Sequence, residues 1–319
     1  MSAAQPTPDD AEFVYDEMAY FAENCTEYGL ELPAPVPVER IEVGLSGGGV
    51  LSGLRWGTGP LDDCAAVFLH GGAQNAHTWD TVLLALDQEL SARSALCFDL
   101  PGHGHSSRRD DGWYDPTSNA AAVAEAMDTL GVRDVVLVGM SLGGLSANVV
   151  AATRPDLVSN LVIVDVTPGV NPDKASAIHA FIAGPQHFAT FGEIFDRTVE
   201  FNPTRTPESL RRGILHNAHR VVEGKHAGSW EWNYDRRKLD IDQMPPMDDL
   251  WDHVGAVAAP YLLVRGSTSP VVDDEDVAEL LRRQPDARVV VVEGAGHSVQ
   301  GDDPLRLAEL LVPLLPPRL

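Results

Sequence analysis

Two periods of hydrophobicity take turns along this chain. Short apolar runs rich in Val, Leu and Ala recur at Ala65 to Leu69, Ala95 to Phe98, Val135 to Val138 and Leu161 to Val166. Such runs, bounded by glycine, proline or polar residues, predict buried strands. Between them, Thr78 to Leu90, Pro116 to Leu130 and Leu145 to Thr153 carry apolar residues at helical spacing and predict helices packed on a sheet. Ahead of this series, Glu39 to Leu45 and Val50 to Trp56 flank Ser46-Gly-Gly-Gly49 and read as two strands joined by a turn. The alternation returns late: strand Tyr261 to Arg265, helix Asp273 to Arg283, strand Arg288 to Val292 and helix Pro304 to Leu314. Strands alternating with helices predict an α/β protein whose mostly parallel sheet is covered on both faces.

Two stretches fall outside this rhythm. From Pro168 to Ala259 the pattern is irregular and mainly helical, with aromatic residues and histidines such as Phe181, His187, His216, His219, Trp230 and Trp232. At the start, Asp9 to Tyr28 predicts an acidic helix, followed by the stiff linker Pro33-Ala-Pro-Val-Pro37. The chain therefore divides into an acidic arm (1–38), an α/β core (39–167 and 260–319) and an inserted helical unit (168–259). The arm has two destinations, the core of its own chain or a neighbouring subunit, so a homo-oligomer stays open.

Charge and composition narrow the function classes. A formal net charge of −24 repels phosphate and argues against nucleic acid and anionic membrane surfaces as partners. No window holds 18 uninterrupted apolar residues, so no membrane span is expected. Met1 to Asp10 lacks the basic and apolar regions of a secretion signal. Cys25, Cys64 and Cys97 are too scattered for a disulfide framework or a metal cluster. A reduced, cytoplasmic setting is the expectation.

The chemistry gathers at strand ends. Gly139-Met-Ser-Leu-Gly143 stands between a predicted strand and a predicted helix. A serine there sits on a strained turn, with glycines removing the Cβ atoms that would clash, and its hydroxyl is held out as a nucleophile. Acyl transfer also needs two backbone N–H donors aimed at the developing oxyanion. Leu142, the residue after the serine, supplies one, and Gly72 of His70-Gly-Gly72 the other. A base for Ser141 must be held on a short loop at the same sheet edge. Val289-Val-Val-Val-Glu-Gly-Ala-Gly-His297 delivers His297 there. Asp99-Leu-Pro-Gly-His-Gly-His-Ser106 reads as a structural loop, since no carboxylate or cysteine completes a metal set around His103 and His105. Ser46-Gly-Gly-Gly49 lacks the spacing and lysine of a phosphate loop. Gly71, His77 and Met140 beside these loops, and Trp230 and Trp232 in the inserted unit, are candidates for a substrate pocket.

His70-Gly-Gly, Asp99-x-Pro-Gly-His-Gly-x-Ser106, Gly139-x-Ser-x-Gly-Gly144 and Gly294-Ala-Gly-His297 occur in this order, and the chain resembles the α/β-hydrolase superfamily over about residues 40–170 and 260–315. The resemblance implies an eight-stranded sheet with a helical cap inserted between strands 6 and 7, and a Ser-His-Asp triad with no cofactor and no metal. The usual acid position, Gly-x-x-Asp after the strand Tyr261 to Arg265, reads Gly266-Ser-Thr-Ser269 here. Asp165, ending the buried run Leu161 to Asp165, is the alternative, as in YbfF-like esterases, which this chain resembles on that point. Ser269 is then an auxiliary partner of the acid–histidine pair. Asp273 and Asp274 stay open as acids. The expected activity is hydrolysis of a small carboxylic ester or lactone through an acyl-enzyme. C–C bond hydrolysis of a vinylogous diketone, with Arg205, Arg211, Arg212 or Arg220 holding an acidic substrate, and a non-catalytic ligand receptor are the alternatives.

Overall fold

The computed structural model describes residues 7–9, 13–32, 34–90, 93–171, 173–236 and 249–316. Parts of the expected arm (1–6, 10–12 and 33), of the inserted unit (172 and 237–248) and of the C-terminus (317–319) lie outside the described residues.

Strands β1 (Val38–Gly44) and β2 (Val50–Trp56) pair antiparallel across the glycine turn, and β2 pairs antiparallel with β4 (Ser94–Phe98). All other neighbours in the main sheet are parallel: β3 (Cys64–Leu69), β5 (Val135–Met140), β6 (Val158–Val164), β10 (Tyr261–Gly266) and β11 (Arg288–Val292). The order is β1-β2-β4-β3-β5-β6-β10-β11, eight strands in all. Every residue of β3, β4 and β5 is buried, which is why their sequences are continuous apolar runs rather than alternating ones. The pleat splits each strand between two cores. Val67, Leu69, Val135 and Leu137 pack with the helices Pro116–Leu130 and Leu142–Thr153. Ala66, Phe68, Val136 and Val138 pack on the opposite face with Asp80–Ala85 and Pro304–Leu311. The helix Pro116–Leu130 matches its sequence limits because local signals set both ends. Asp115 accepts from the Thr117 and Ser118 amides, Pro116 opens the first turn, and Gly131 closes it at φ 70°.

Between β6 and β10 the expected helices are present, including Ser176–Ile182, Phe191–Phe201 and Pro207–Asn217. A small antiparallel sheet joins them, with β7 (His187–Phe188), β8 (Ala218–Arg220) and β9 (Trp230–Trp232) in the order β7-β9-β8. The helical expectation for this unit was incomplete. Trp230-Glu-Trp232 has a strand's period of two, with both indoles buried and Glu231 between them half-buried. His216 and His219 do not share a helix face, because the chain turns extended at Ala218 (φ −143°, ψ 156°). The arm's helix is also shorter than expected, running only Phe21–Tyr28. Cys64 and Cys97 are buried core residues.

Candidate active site

β5 ends at Met140, and Ser141 adopts φ 51°, ψ −120° before the helix Leu142–Thr153 begins. A positive φ on a residue with a side chain stores strain that its surroundings must hold in place. The flanking glycines are required by close approach. A Cβ on Gly139 would lie 2.4 Å from the Gly143 carbonyl oxygen, and one on Gly143 would lie 2.3 Å from that of Leu69. The Ser141 amide donates to the Val164 carbonyl at 3.2 Å, and its own carbonyl accepts from Leu145 at 2.9 Å. Among the described residues, the Ser141 hydroxyl has no hydrogen-bond partner.

Across the loop from this serine runs His70-Gly-Gly-Ala73. A Cβ on Gly71 would lie 3.1 Å from Ser141 Cβ, so the two loops touch. Their amides are unequally engaged. The Gly71 N–H donates to Gln74 Oε1 at 3.0 Å, and the Ala73 N–H donates to His103 Nε2 at 3.1 Å. The Gly72 and Leu142 amides donate to no described residue. His70 and His103 brace this loop. His70 Nε2 accepts from the Leu100 amide at 2.8 Å, while Nδ1 donates to the Gly71 carbonyl at 2.7 Å. Burial, with His103 beside it, lowers the His70 pKa to about 3, so the ring stays neutral and keeps its accepting nitrogen. The Asp99 loop is the structural element its sequence suggested. Asp99 accepts from the Ala76 amide at 2.7 Å and from Arg40 at 2.8 Å.

Asp165 follows β6, fully buried, at φ 51°. Its Oδ1 accepts from the Gly266 amide at 3.0 Å. Its Oδ2 accepts from His297 Nδ1 at 2.8 Å and from the Ser269 hydroxyl at 2.5 Å. A carboxylate on Nδ1 fixes the proton there, and Nε2 has no partner among the described residues. The two competing acids are engaged elsewhere. Asp273 caps the helix Asp274–Arg283 and pairs with Lys174 at 2.8 Å. Asp274 is exposed and pairs with Arg265 at 2.9 Å.

His297 and Ser269 open onto a cavity of about 350 Å³, walled by Gly72 from the core, Phe181 and Trp232 from the inserted unit, and Asn24 and Tyr28 from the arm. His77 also lines it. Gly71, Met140 and Trp230 do not, contrary to expectation. Met140 is 1% exposed and lies under Gly71, whose Cβ would stand 2.5 Å from its sulfur. Trp230 turns toward the arm, its indole N–H donating to Asp9 at 2.9 Å and its ring edge-on to Phe191. Sequence reasoning missed Gln74, which holds the Gly71 amide and donates to Ser298 at 3.3 Å, tying the glycine loop to the residue after His297. It also missed Asp302, whose Oδ2 accepts from the Gly296 amide at 2.7 Å and from Thr204 at 3.0 Å.

One histidine cluster borders the cavity. His77 Nδ1 and Nε2 bond Asp80 (2.9 Å) and Glu17 (3.1 Å), and the ring stacks on His216 at 3.8 Å and 9°. Burial alone would lower the His77 pKa, but the two carboxylates outweigh it and hold it up at about 9. Burial, with His77 and Arg212 adjacent, drops His216 well below its usual value. The donor atoms of His77, Asp80 and His216 lie within 4.8 Å of one another. Parallel ring planes do not converge on one ion, however, and both His77 nitrogens are already hydrogen-bonded, so this set fits a metal poorly.

The chain belongs to the alpha/beta hydrolase family, whose model matches residues 66–310. It is similar to Esterase Rv0045c of Mycobacterium tuberculosis, with 42% identity over 95% of this chain and 97% of that one. A crystal structure of that esterase superposes with a TM-score of 0.78, covering 94% of this chain and 98% of its own. A 2-(acetamidomethylene)succinate hydrolase of Mesorhizobium japonicum is 29% identical over 78% of this chain and 85% of that protein. A structure of E-2-(acetamidomethylene)succinate hydrolase gives a TM-score of 0.74 at 25% identity, covering 87% of this chain and 98% of that one. Among the described residues, no helix is long and apolar enough to cross a membrane.

Proposed function

We propose that this hydrolase is a serine esterase acting on a small carboxylic ester or lactone through an acyl-enzyme. Ser141 Oγ attacks the substrate carbonyl carbon while its proton passes to His297 Nε2. Asp165 holds the imidazole in the tautomer that can accept and offsets the charge of the imidazolium. The carbonyl oxygen becomes an oxyanion that takes the Gly72 and Leu142 amides, each donor of this kind contributing about 3 kcal/mol to the transition state. The imidazolium returns its proton to the leaving alkoxide. Water then attacks the acyl carbon and gives its proton to His297, which returns it to Ser141 Oγ as the acyl–oxygen bond breaks and the carboxylic acid leaves. Residues 168–259 serve as the cap over the cavity and 1–38 as an arm that closes one wall.

The observation that carries this reading is the bond from His297 to the buried Asp165, on the sheet edge that also carries the Ser141 turn. Likeness over nearly the whole chain to a protein named an esterase supports the ester as substrate class. A panel of p-nitrophenyl esters graded by acyl length, with lactones alongside, tests it. Ser141→Ala should remove turnover by roughly 10⁶-fold and abolish fluorophosphonate labelling. Full activity in that variant would refute the assignment.

A further inference from the structure

Among the described residues, three cationic side chains of the lysine and arginine type line the cavity: Lys174, Arg205 and Arg212. Two are matched. Lys174 bridges Asp273 and Asp276 at 2.8 and 2.7 Å, and Arg212 pairs with Glu27. Arg205 has no carboxylate within ion-pair distance among the described residues. Its Nη2 donates to Ser209 at 2.7 Å. Its Nε is buried without a partner. The acid whose charge favours its cationic form most, Asp302, gives Oδ2 to Gly296 and Thr204 and keeps Oδ1 buried without a partner, so it offsets Arg205 only through space. The guanidinium is wedged in place, since a Cβ on Gly301 would lie 2.7 Å from Nε. Gly301 belongs to the short helix Val299–Asp302 that follows His297, so Arg205 stands on the histidine's side of the cavity.

An unmatched guanidinium in a cavity wall is costly, and the partner that offsets it best is a planar anion read by the fork. We propose that Arg205 is a specificity-determining residue that binds a carboxylate on the substrate, so that the preferred esters are monoesters of dicarboxylic acids or similar anionic esters. This rests on the esterase reading. The fork is held between Ser209 and Gly301 before substrate arrives, which lowers the ordering cost of binding.

The test has two arms. The first measures kcat/KM for a ladder of p-nitrophenyl monoesters of dicarboxylic acids, succinate to adipate, each against its neutral methyl diester analogue. The wild type should favour one rung of the anionic series, and Arg205→Gln should cut the anionic-to-neutral ratio roughly ten- to hundredfold. Arg205→Lys should recover part of it. Gly301→Ala, which displaces the guanidinium without removing it, should lower the ratio as well. The second arm titrates Ser141→Ala protein, with and without Arg205→Gln, against monomethyl and dimethyl dicarboxylates by calorimetry. A binding preference for the monomethyl esters that vanishes with Arg205 supports the proposal even if no ester turns over, in which case only the esterase reading falls. Equal binding of the charged and neutral esters, or a ratio unmoved in Arg205→Gln protein of native circular dichroism, overturns it.

Discussion

His297 and His77 are both imidazoles held by acidic side chains beside the same cavity, and they are built for opposite purposes. His297 has one carboxylate, Asp165, on Nδ1 at 2.8 Å, and a second nitrogen with no partner among the described residues. His77 has a carboxylate on each nitrogen, Asp80 at 2.9 Å and Glu17 at 3.1 Å. A ring with one nitrogen anchored and the other open can take a proton and return it. A ring clamped on both sides is a fixed cation, and its pKa of about 9 leaves it charged at neutral pH. The surrounding chain follows the same division. Asp165 and His297 come from strand ends of the core, whereas Glu17 arrives from the arm and also binds Arg40, so the second set joins the arm to the core.

The largest effect should separate the acids. Asp165→Asn keeps the shape but disturbs the tautomer of His297, and should cost about 10⁴-fold in kcat with the melting temperature nearly unchanged. Asp273→Asn and Asp274→Asn should leave kcat within about threefold and cost under about 1 kcal/mol of stability, since asparagine caps as well as aspartate and Lys174 keeps Asp276. If Asp165→Asn keeps full activity while either of the others loses it, the acid of the triad is misassigned.

Next in size is the fixed cation. His77→Gln strands Asp80 as a buried carboxylate without its cation and leaves the half-buried Glu17 to Arg40, and removing one partner of a buried pair costs about 3–5 kcal/mol. Urea denaturation should show that loss, with turnover falling in proportion to folded protein. His297→Gln should do the reverse, removing turnover while stability stays within about 1 kcal/mol. Equal stability losses in the two variants would erase the contrast.

The clamp also predicts a pH dependence. His77 is raised from 6.5 to about 9, so the folded chain binds its proton more tightly than the unfolded one. Its stabilisation is fully present below about pH 6.5 and is lost as pH rises through 9. Glu17 is lowered from 4.5 to about 2; burial works against this, but hydrogen bonds from His77 and Arg40 prevail. Its contribution is therefore present above about pH 4.5 and is lost as pH falls through 2. Unfolding free energy should drop by a few kcal/mol between about pH 7 and 10, and the slope should flatten in His77→Gln. A wild-type curve already flat across that range would show that the clamp does not hold the charge.

The same contrast explains what the sequence made legible. β3, β5 and β10 were placed within two residues, because a buried strand is a local apolar run bounded by turn residues. The turns that carry Ser141, Gly72 and His297 were legible for a similar reason, each a glycine-containing loop that follows such a run. Asp165 was readable because an acid ending a buried strand needs a partner, although its three donors come from Gly266, Ser269 and His297, more than a hundred residues further along. The arm could not be read in that way. Asp9 to Tyr28 reads as an acidic helix, yet Asp9 binds the Phe191 amide and the Trp230 indole, and Glu17 binds His77 and Arg40. Those partners are tertiary and leave no period in the local sequence. His77 was expected as a pocket wall, which it is, but its clamp depends on Glu17, sixty positions earlier.

The smallest effect probes whether His297's single carboxylate needs help. Ser269 stands where the Gly-x-x-Asp pattern would put an acid, and its hydroxyl donates to Asp165 Oδ2 while its oxygen accepts from the Val271 amide at 3.2 Å. A hydrogen bond to a charged acceptor contributes about 1.5–3 kcal/mol. Ser269 also lines the cavity, so in Ser269→Ala a water can replace the hydroxyl and recover much of that. The net loss should be near 1 kcal/mol, or roughly fivefold in kcat. If Ser269 positions the acid, kcat falls while KM holds and Ser269→Thr restores most of the rate. If it is only cavity wall, KM rises at constant kcat and threonine makes matters worse, because its added methyl narrows the cavity. The first outcome would mean that this site takes its acid from the end of β6 and holds, after β10, a hydroxyl that steadies it.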